Sequence, residues 1–360
     1  MTSDLRPVAR VPVLMLGMLS LLGGVMAGLA RLDWSMPEQA VAAAGWHGAL
    51  MISAFLGTVI SLERAVALAR RWAYLAPGLA GVGGVSLLAG APLAVSQILS
   101  IMAALILVAA SVQVLRRLTA SFTVVLALAA GCWLVGNLAW LGEGSLSVAT
   151  PWWLAFLVLT IAGERLELTR FLPTPPIAQR LFIGIVAGLL AGASLCFWFL
   201  EAGLALFAGG LLALAVWLFR YDLARRNVQQ QGLTRFIAVC LLSGYAWLAL
   251  AGILGLAGGF TPGHSWRDGA LHAVTLGFVF SMIFGHAPII FPAVVRIRIL
   301  YRPVFYLPLG VLHASLLLRV AGSLGEDFAL RHQGGMLNAV AVALFIVVLL
   351  ASVMGGKRTG

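Results

Sequence analysis

Twelve apolar runs of bilayer length take up nearly the whole chain. They fall at roughly 12–31, 46–69, 73–94, 95–115, 119–142, 150–171, 180–200, 202–220, 234–257, 269–294, 303–324 and 335–355. About 20 consecutive apolar residues is the length at which a helix crosses a hydrocarbon core. Hydrophobic residues make up 62% of the sequence and charged ones 10%, a balance that excludes a large soluble core. The expected fold class is all-α: a polytopic membrane protein of twelve transmembrane helices with N- and C-termini cytoplasmic. No connection is polar or long enough for an extramembrane domain, the largest being 221–231 and 258–268. Residues 1–360 are therefore expected to form a single transmembrane domain in contact with the lipid bilayer.

The formal net charge of +11 raises the question of a nucleic-acid or acidic partner, and its distribution answers it. With the N-terminus inside, 19 of the 23 Lys and Arg residues fall on cytoplasmic segments, and only Arg31, Arg267, Arg319 and Arg331 fall outside. That asymmetry follows the positive-inside rule, so the basicity reads as topology and no nucleic-acid partner is expected. Arg6 and Arg10 ahead of the first run look superficially like a secretory signal. The run is long, however, and no small-residue cleavage site follows, so it is read as the first helix. Cys132, Cys196 and Cys240 lie inside apolar runs with no C-x-x-C spacing and read as packing residues rather than a disulfide framework or zinc site. Glycine-rich stretches near 78–90 and 208–216 read as close helix packing.

Histidines inside these runs carry the chemistry, because ionisable side chains in a membrane span are costly and usually functional. His47 lies in GWHGALMISAFLGTVISLERA and His272 in LHAVTLGFVFSMIFGHAPIIFP. Both fall in the first turn of even-numbered helices, which run from outside to inside, so their expected depths agree. Two imidazoles at one depth on separate helices are what a haem iron needs on its two faces. Each is also followed by phenylalanine at the ninth position, Phe55 and Phe280, a hint of equivalent placement. For His47, beside Trp46, a half-wet ring at the headgroup level is the competing reading. His286 lies 14 residues beyond His272, about 21 Å deeper at 1.5 Å per residue, too far to share an iron. His313, in the middle of the eleventh run, needs a partner there, either as a ligand or in a helix–helix hydrogen bond. His264 and His332 fall in outer loops.

A haem brings two propionates, which call for cationic partners at the outer surface. Arg31, Arg267 and Arg331 each have acids close in sequence, at Asp33, at Asp268, and at Glu326 with Asp327, whereas Arg319 in LLLRVAG has none. Arg319 and Arg267 are the expected propionate partners. At the inner side, Glu63 with Arg64, and Glu164, Arg165, Glu167 and Arg170 in AGERLELTRF, read first as ion pairs anchoring helix ends. The alternative is a secondary polar site of Glu63, Glu164, His286 and His313 serving proton entry or an ion path. The helix carrying His286 is expected to kink at Pro288 and Pro292.

The tenth run resembles the corresponding helix of haem–copper oxidase catalytic subunits, a twelve-helix family in which an H-x-H pair opens the helix. A leucine-glycine-aromatic step follows, then a phenylalanine-glycine step and a later proline. The matching residues are Leu276-Gly277-Phe278, Phe284-Gly285 and Pro292. The resemblance implies that His272 and His47 match the two axial ligands of the family's low-spin haem. The histidine that binds the second haem falls on Ala270, and the runs at 150–171 and 180–200 lack the family's copper ligands, so no copper and no binuclear centre are expected. The chain is also similar to the NnrS family, haem-containing twelve-helix membrane proteins linked to nitric oxide and nitrosative stress, in LHAVTLG, in LLLRVAG and in the Trp46-His47 opening of the second run.

The resemblances imply haem b with bis-histidine ligation in the bacterial cytoplasmic (inner) membrane. They further imply electron transfer or a role in redox or nitric-oxide stress rather than enzyme turnover at the iron, with a redox partner protein. Two other readings stand beside this one: a secondary transporter or channel using the intramembrane His and Glu residues, and a structural subunit of a respiratory complex.

Overall fold

The structure is a computed structural model that describes residues 4–144, 146–170, 175–297 and 299–357, with side chains described as far as residue 353. Among them every regular element is helical. In chain order the long helices are α1 (Pro7–Ala30), α2 (Ala49–Leu68), α3 (Leu75–Leu88), α4 (Leu93–Arg117), α5 (Ser121–Glu143), α6 (Leu146–Thr169), α7 (Pro176–Leu195), α8 (Leu200–Tyr221), α9 (Gly232–Gly259), α10 (Arg267–Val295), α11 (Pro303–Leu324) and α12 (Phe328–Val353). Eleven of these, all except α3, are long and apolar enough to cross a membrane. The chain is an all-α, multi-pass membrane protein.

The run at 73–94 departs from the simple expectation of one long helix. It yields the 14-residue α3, entered through a 3-10 turn at Arg71–Tyr74 and followed by Gly90 at φ 73° and Pro92 at the cap of α4. A left-handed glycine and a proline stop a helix whatever the hydropathy around them. Fourteen residues rise about 21 Å, against a core of about 30 Å.

By its internal contacts the chain divides into two compact units, Met1–Thr160 with Ile290–Arg296, and Ile161–Ile289 with Ile297–Gly360. In the first, α1 packs on α2 and α3, and α3, α4 and α5 pack in sequence order. Its interior is tied by Asn137 of α5, which is fully buried. The Asn137 Oδ1 accepts from Ser53 Oγ of α2 at 2.9 Å and from Trp153 Nε1 of α6 at 3.0 Å, while Nδ2 donates to the Ser100 carbonyl of α4 at 3.1 Å. Trp133 Nε1 donates to the same Ser53 hydroxyl at 3.1 Å. Polar side chains act as ties between helices in an apolar interior. Arg10 of α1 is also buried. It pairs with Asp4 at 2.6 Å and donates to the Val294 carbonyl at 2.9 Å, and Tyr74 donates to the same Asp4 at 2.7 Å.

In the second unit α7, α8 and α9 pack in succession, α9 packs on the first half of α10, and α11 lies against α10 and α12. Arg165 of α6 meets Asp222, just after α8, through Nε–Oδ2 at 2.8 Å and Nη2–Oδ1 at 3.3 Å, with the two side chains 4% and 1% exposed. The run AGERLELTRF pointed to neighbouring acids for Arg165, but the structure hands it an aspartate 57 residues on. Asp222 Oδ1 also accepts the Ala224 N–H at 2.6 Å and so shapes the turn after α8.

Breaking one side of a buried ion pair costs about 3–5 kcal/mol because the surviving charge stays buried. Asp222→Asn retains an oxygen for the Ala224 turn and removes the counter-charge of Arg165. Thermal unfolding in detergent is expected to show a loss in that range, and a variant as stable as the parent would contradict this role for the pair.

Candidate functional site

His47 opens the helical run that leads into α2, directly after a 3-10 turn at Ala44–Trp46. Its Nδ1 lies 2.7 Å from the Gly24 carbonyl of α1. A carbonyl only accepts, so Nδ1 carries the proton and Nε2 is the lone-pair nitrogen of the neutral ring. The ring is seated against Gly28, where a Cβ would fall 2.7 Å from Cε1 and 2.8 Å from Nδ1. Gly24 and Gly28 form the step GVMAG, the G-x-x-x-G spacing that opens a groove along a membrane helix. Hydropathy gives no hint of either glycine; that spacing, in the run before His47, is the sequence signal that carries them. Next to His47, the Trp46 ring sits 6.1 Å from that of the fully buried Trp140.

His272 closes the opening turn of α10. Its Nδ1 lies 2.7 Å from the Asp268 carbonyl one turn back and 3.4 Å from Oδ1 of the same residue, so here too the proton is on Nδ1. The Asp268 carboxylate is gripped by Arg319 of α11, with Nε–Oδ2 at 2.6 Å and Nη2–Oδ1 at 2.7 Å. This is the two-pronged geometry that makes arginine–carboxylate pairs strong. Asp268 thus goes to Arg319, which lacks an acid nearby in sequence, rather than to its neighbour Arg267. The Arg267 guanidinium donates to the Phe260 carbonyl. Ala270 is fully buried.

Both histidines lead into a π-helical segment of eight residues, Ala49–Leu56 and Ala273–Phe280. π-helix accounts for well under 1% of residues in ordinary proteins and gathers at functional sites. Phe55 and Phe280 both fall inside these segments and are buried, although the two segments start two and one residues after their histidine. The similarity suggested by the sequence thus extends to backbone form. The Nδ1 partner does not repeat, being a carbonyl of another helix for His47 and of its own helix for His272.

His313 is a helix–helix tie. Its Nδ1 accepts from Trp247 Nε1 at 2.9 Å, and its Nε2 donates to Ser243 Oγ at 3.0 Å, which donates onward to the Val239 carbonyl at 2.8 Å. Gly277, the glycine of the leucine-glycine-aromatic step, lets the Trp247 ring lie against its backbone, where a Cβ would collide with the indole. His286 Nδ1 lies 3.0 Å from the Met282 carbonyl of its own turn. Glu63 and Glu164 are half-buried near the ends of α2 and α6, and His264 Nδ1 accepts from the Trp266 N–H at 3.1 Å. Among the described residues no group of three or more His, Cys, Asp or Glu could hold a metal ion.

A family model described as a domain of unknown function, DUF8744, matches residues 10–354. The chain belongs to the DUF8744 family. No curated protein and no solved structure matches it. The DUF8744 match takes in His47, His272, both π segments and the Asp268–Arg319 pair.

Gly28→Ala and Gly131→Ala are expected to move stability in opposite directions. A methyl at Gly131 meets nothing within 4 Å, so alanine there should stabilise α5 by about 0.5–1 kcal/mol. At Gly28 the methyl meets a ring already held by its bond to Gly24, and overpacking of this kind costs about 1–3 kcal/mol. Unfolding midpoints of the two variants in the same detergent test this, and two equal gains would mean that the His47 ring is not fixed in the groove.

Proposed function

We propose that this chain is a membrane-embedded b-type haem protein of the bacterial cytoplasmic membrane, in which His47 and His272 would hold the haem iron. The observation that carries the reading is the shared preparation of these two imidazoles. Each has Nδ1 fixed by a carbonyl, which leaves Nε2 as the ligating nitrogen and sets the ring orientation, as metal-ligating histidines require. Each then leads into a π-helical turn. His286 shares the carbonyl contact but is followed by ordinary α-helix. The resemblance of α10 to the oxidase catalytic subunit, and of LHAVTLG and LLLRVAG to the NnrS family, points the same way. Bound there, a haem supplies one-electron exchange.

With two histidines of the protein holding the iron, the haem would favour electron transfer, or a redox or nitric-oxide stress function, over turnover at the iron. A redox partner protein goes with that role. Arg267 and Arg319 are the proposed propionate partners. Asp268 occupies two of the donors on Arg319 and Asn338 a third, and a guanidinium has five. The proposed topology keeps twelve crossings with both termini inside, the third made by α3 and its leading 3-10 turn. Without that crossing, every arginine after α3 changes side and the inner excess of positive charge is reversed. The readings as a transporter or channel, or as a structural subunit of a respiratory complex, lack an observation of comparable weight. His313, the candidate proton group of mid-span, uses both ring nitrogens to tie helices.

An optical spectrum of the detergent-purified protein, oxidised and dithionite-reduced, tests the proposal. Sharp reduced α and β bands of a low-spin b-haem are expected, abolished or converted by His47→Ala or His272→Ala and unchanged by His264→Ala. Colourless protein purified from haem-replete cells overturns it.

A further inference from the structure

We infer that the Asp268–Arg319 pair is a positioning device for His272 that sets how strongly the imidazole donates to the iron, and with it the midpoint potential of the haem. This inference rests on the haem ligation proposed above. The two histidines differ in what stands behind Nδ1. For His47 it is the carbonyl of a glycine, which brings no charge. For His272 it is the carbonyl of Asp268 at 2.7 Å together with the carboxylate of the same residue at 3.4 Å. A carboxylate behind the Nδ1–H raises the basicity of the ligating nitrogen and stabilises the more positive metal.

Arg319 limits that effect. It holds both carboxylate oxygens at 2.6 and 2.7 Å, closer than either approaches the ring, and its own side chain is only 9% exposed. The geometry is a competition for one carboxylate between a guanidinium on α11 and an imidazole one turn away on α10. The arginine holds the carboxylate back from the N–H, so the pair fixes a graded donation rather than a full one. The burial matters because charges interact more strongly where water is scarce.

Redox titration of the purified haem protein at fixed pH reads this out. Asp268→Asn removes the negative charge and the carboxylate behind Nδ1, and the midpoint is expected to rise. Arg319→Gln removes the positive charge and releases the carboxylate toward Nδ1–H, and the midpoint is expected to fall. Arg319→Lys keeps the charge without the two-pronged grip and is expected to lie between the parent and Arg319→Gln. Opposite shifts are the signature, since mere loosening of the helices would move both variants the same way. If Asp268→Asn fails to fold, the order of parent, Arg319→Lys and Arg319→Gln carries the test alone. Haem that binds with its midpoint unmoved, or moved in one direction by both variants, overturns this inference and leaves the ligation standing. Parent protein without haem overturns both.

Discussion

A charged side chain taken into the interior of a membrane protein must bring its counter-charge along, because the desolvation cost of either ion alone exceeds what packing returns. Among the described residues three arginines are buried, and each has an aspartate: Arg10 with Asp4, Arg165 with Asp222, and Arg319 with Asp268. All three pairs sit at helix ends, where backbone groups lack partners within the helix. Arg10 takes the Val294 carbonyl at the end of α10, and Asp222 takes the Ala224 N–H after α8. In these two pairs charge pairing and helix termination are solved together; in the third, Arg319 holds the Asp268 carboxylate while the carbonyl of the same residue takes the His272 Nδ1–H.

Two uncharged side chains, Asn137 and His313, meet the same demand by hydrogen bonds to other helices. Asn137 spends its oxygen on Ser53 and Trp153 and its nitrogen on the Ser100 carbonyl. His313 spends one nitrogen on Trp247 and the other on Ser243. To take up a proton at Nδ1, the His313 ring must give up the Trp247 bond and orphan an indole N–H in a water-poor interior, a penalty of about 1–3 kcal/mol. This separates His313 from His47 and His272, whose Nδ1 atoms are fixed in the tautomer that a metal ligand uses.

Hydropathy alone located the long helices, since a run of about 20 apolar residues has few alternatives in lipid. It did not show where a run is broken from within: 73–94 is apolar throughout, yet Gly90 and Pro92 set the end of α3 and the start of α4 by backbone geometry. The contact of His272 with Asp268 was within reach of the sequence, being one turn apart on one helix. The contact of His47 with Gly24 was not, because it joins two helices and shows only as the G-x-x-x-G step ahead of it. Charge partners were the least legible. Asp268 stands next to Arg267 in sequence but pairs with Arg319, and Arg165 forms its ion pair with Asp222, 57 residues on. Adjacent residues on a helix point in different directions, so nearness in sequence is a poor guide to which ions meet.

The π segments show how one helix can serve two sets of partners. A π turn admits an extra residue, which turns the face of everything after it by about 100° relative to a continued α-helix. In α2 the His47 end lies in the groove of α1, while Ser53, inside the π segment, reaches Asn137 of α5, and Gly57, just beyond it, receives the Trp133 ring. In α10 the His272 end is held beside Arg319 of α11. Further on, Gly277 receives Trp247 of α9, and Phe284 stacks on Phe345 of α12 at 3.9 Å. A uniform α-helix would tie the direction of each histidine to the packing of the span that follows it. The wider turn releases that coupling, so the rest of each helix can pack on its neighbours while the imidazole at its head keeps a direction of its own.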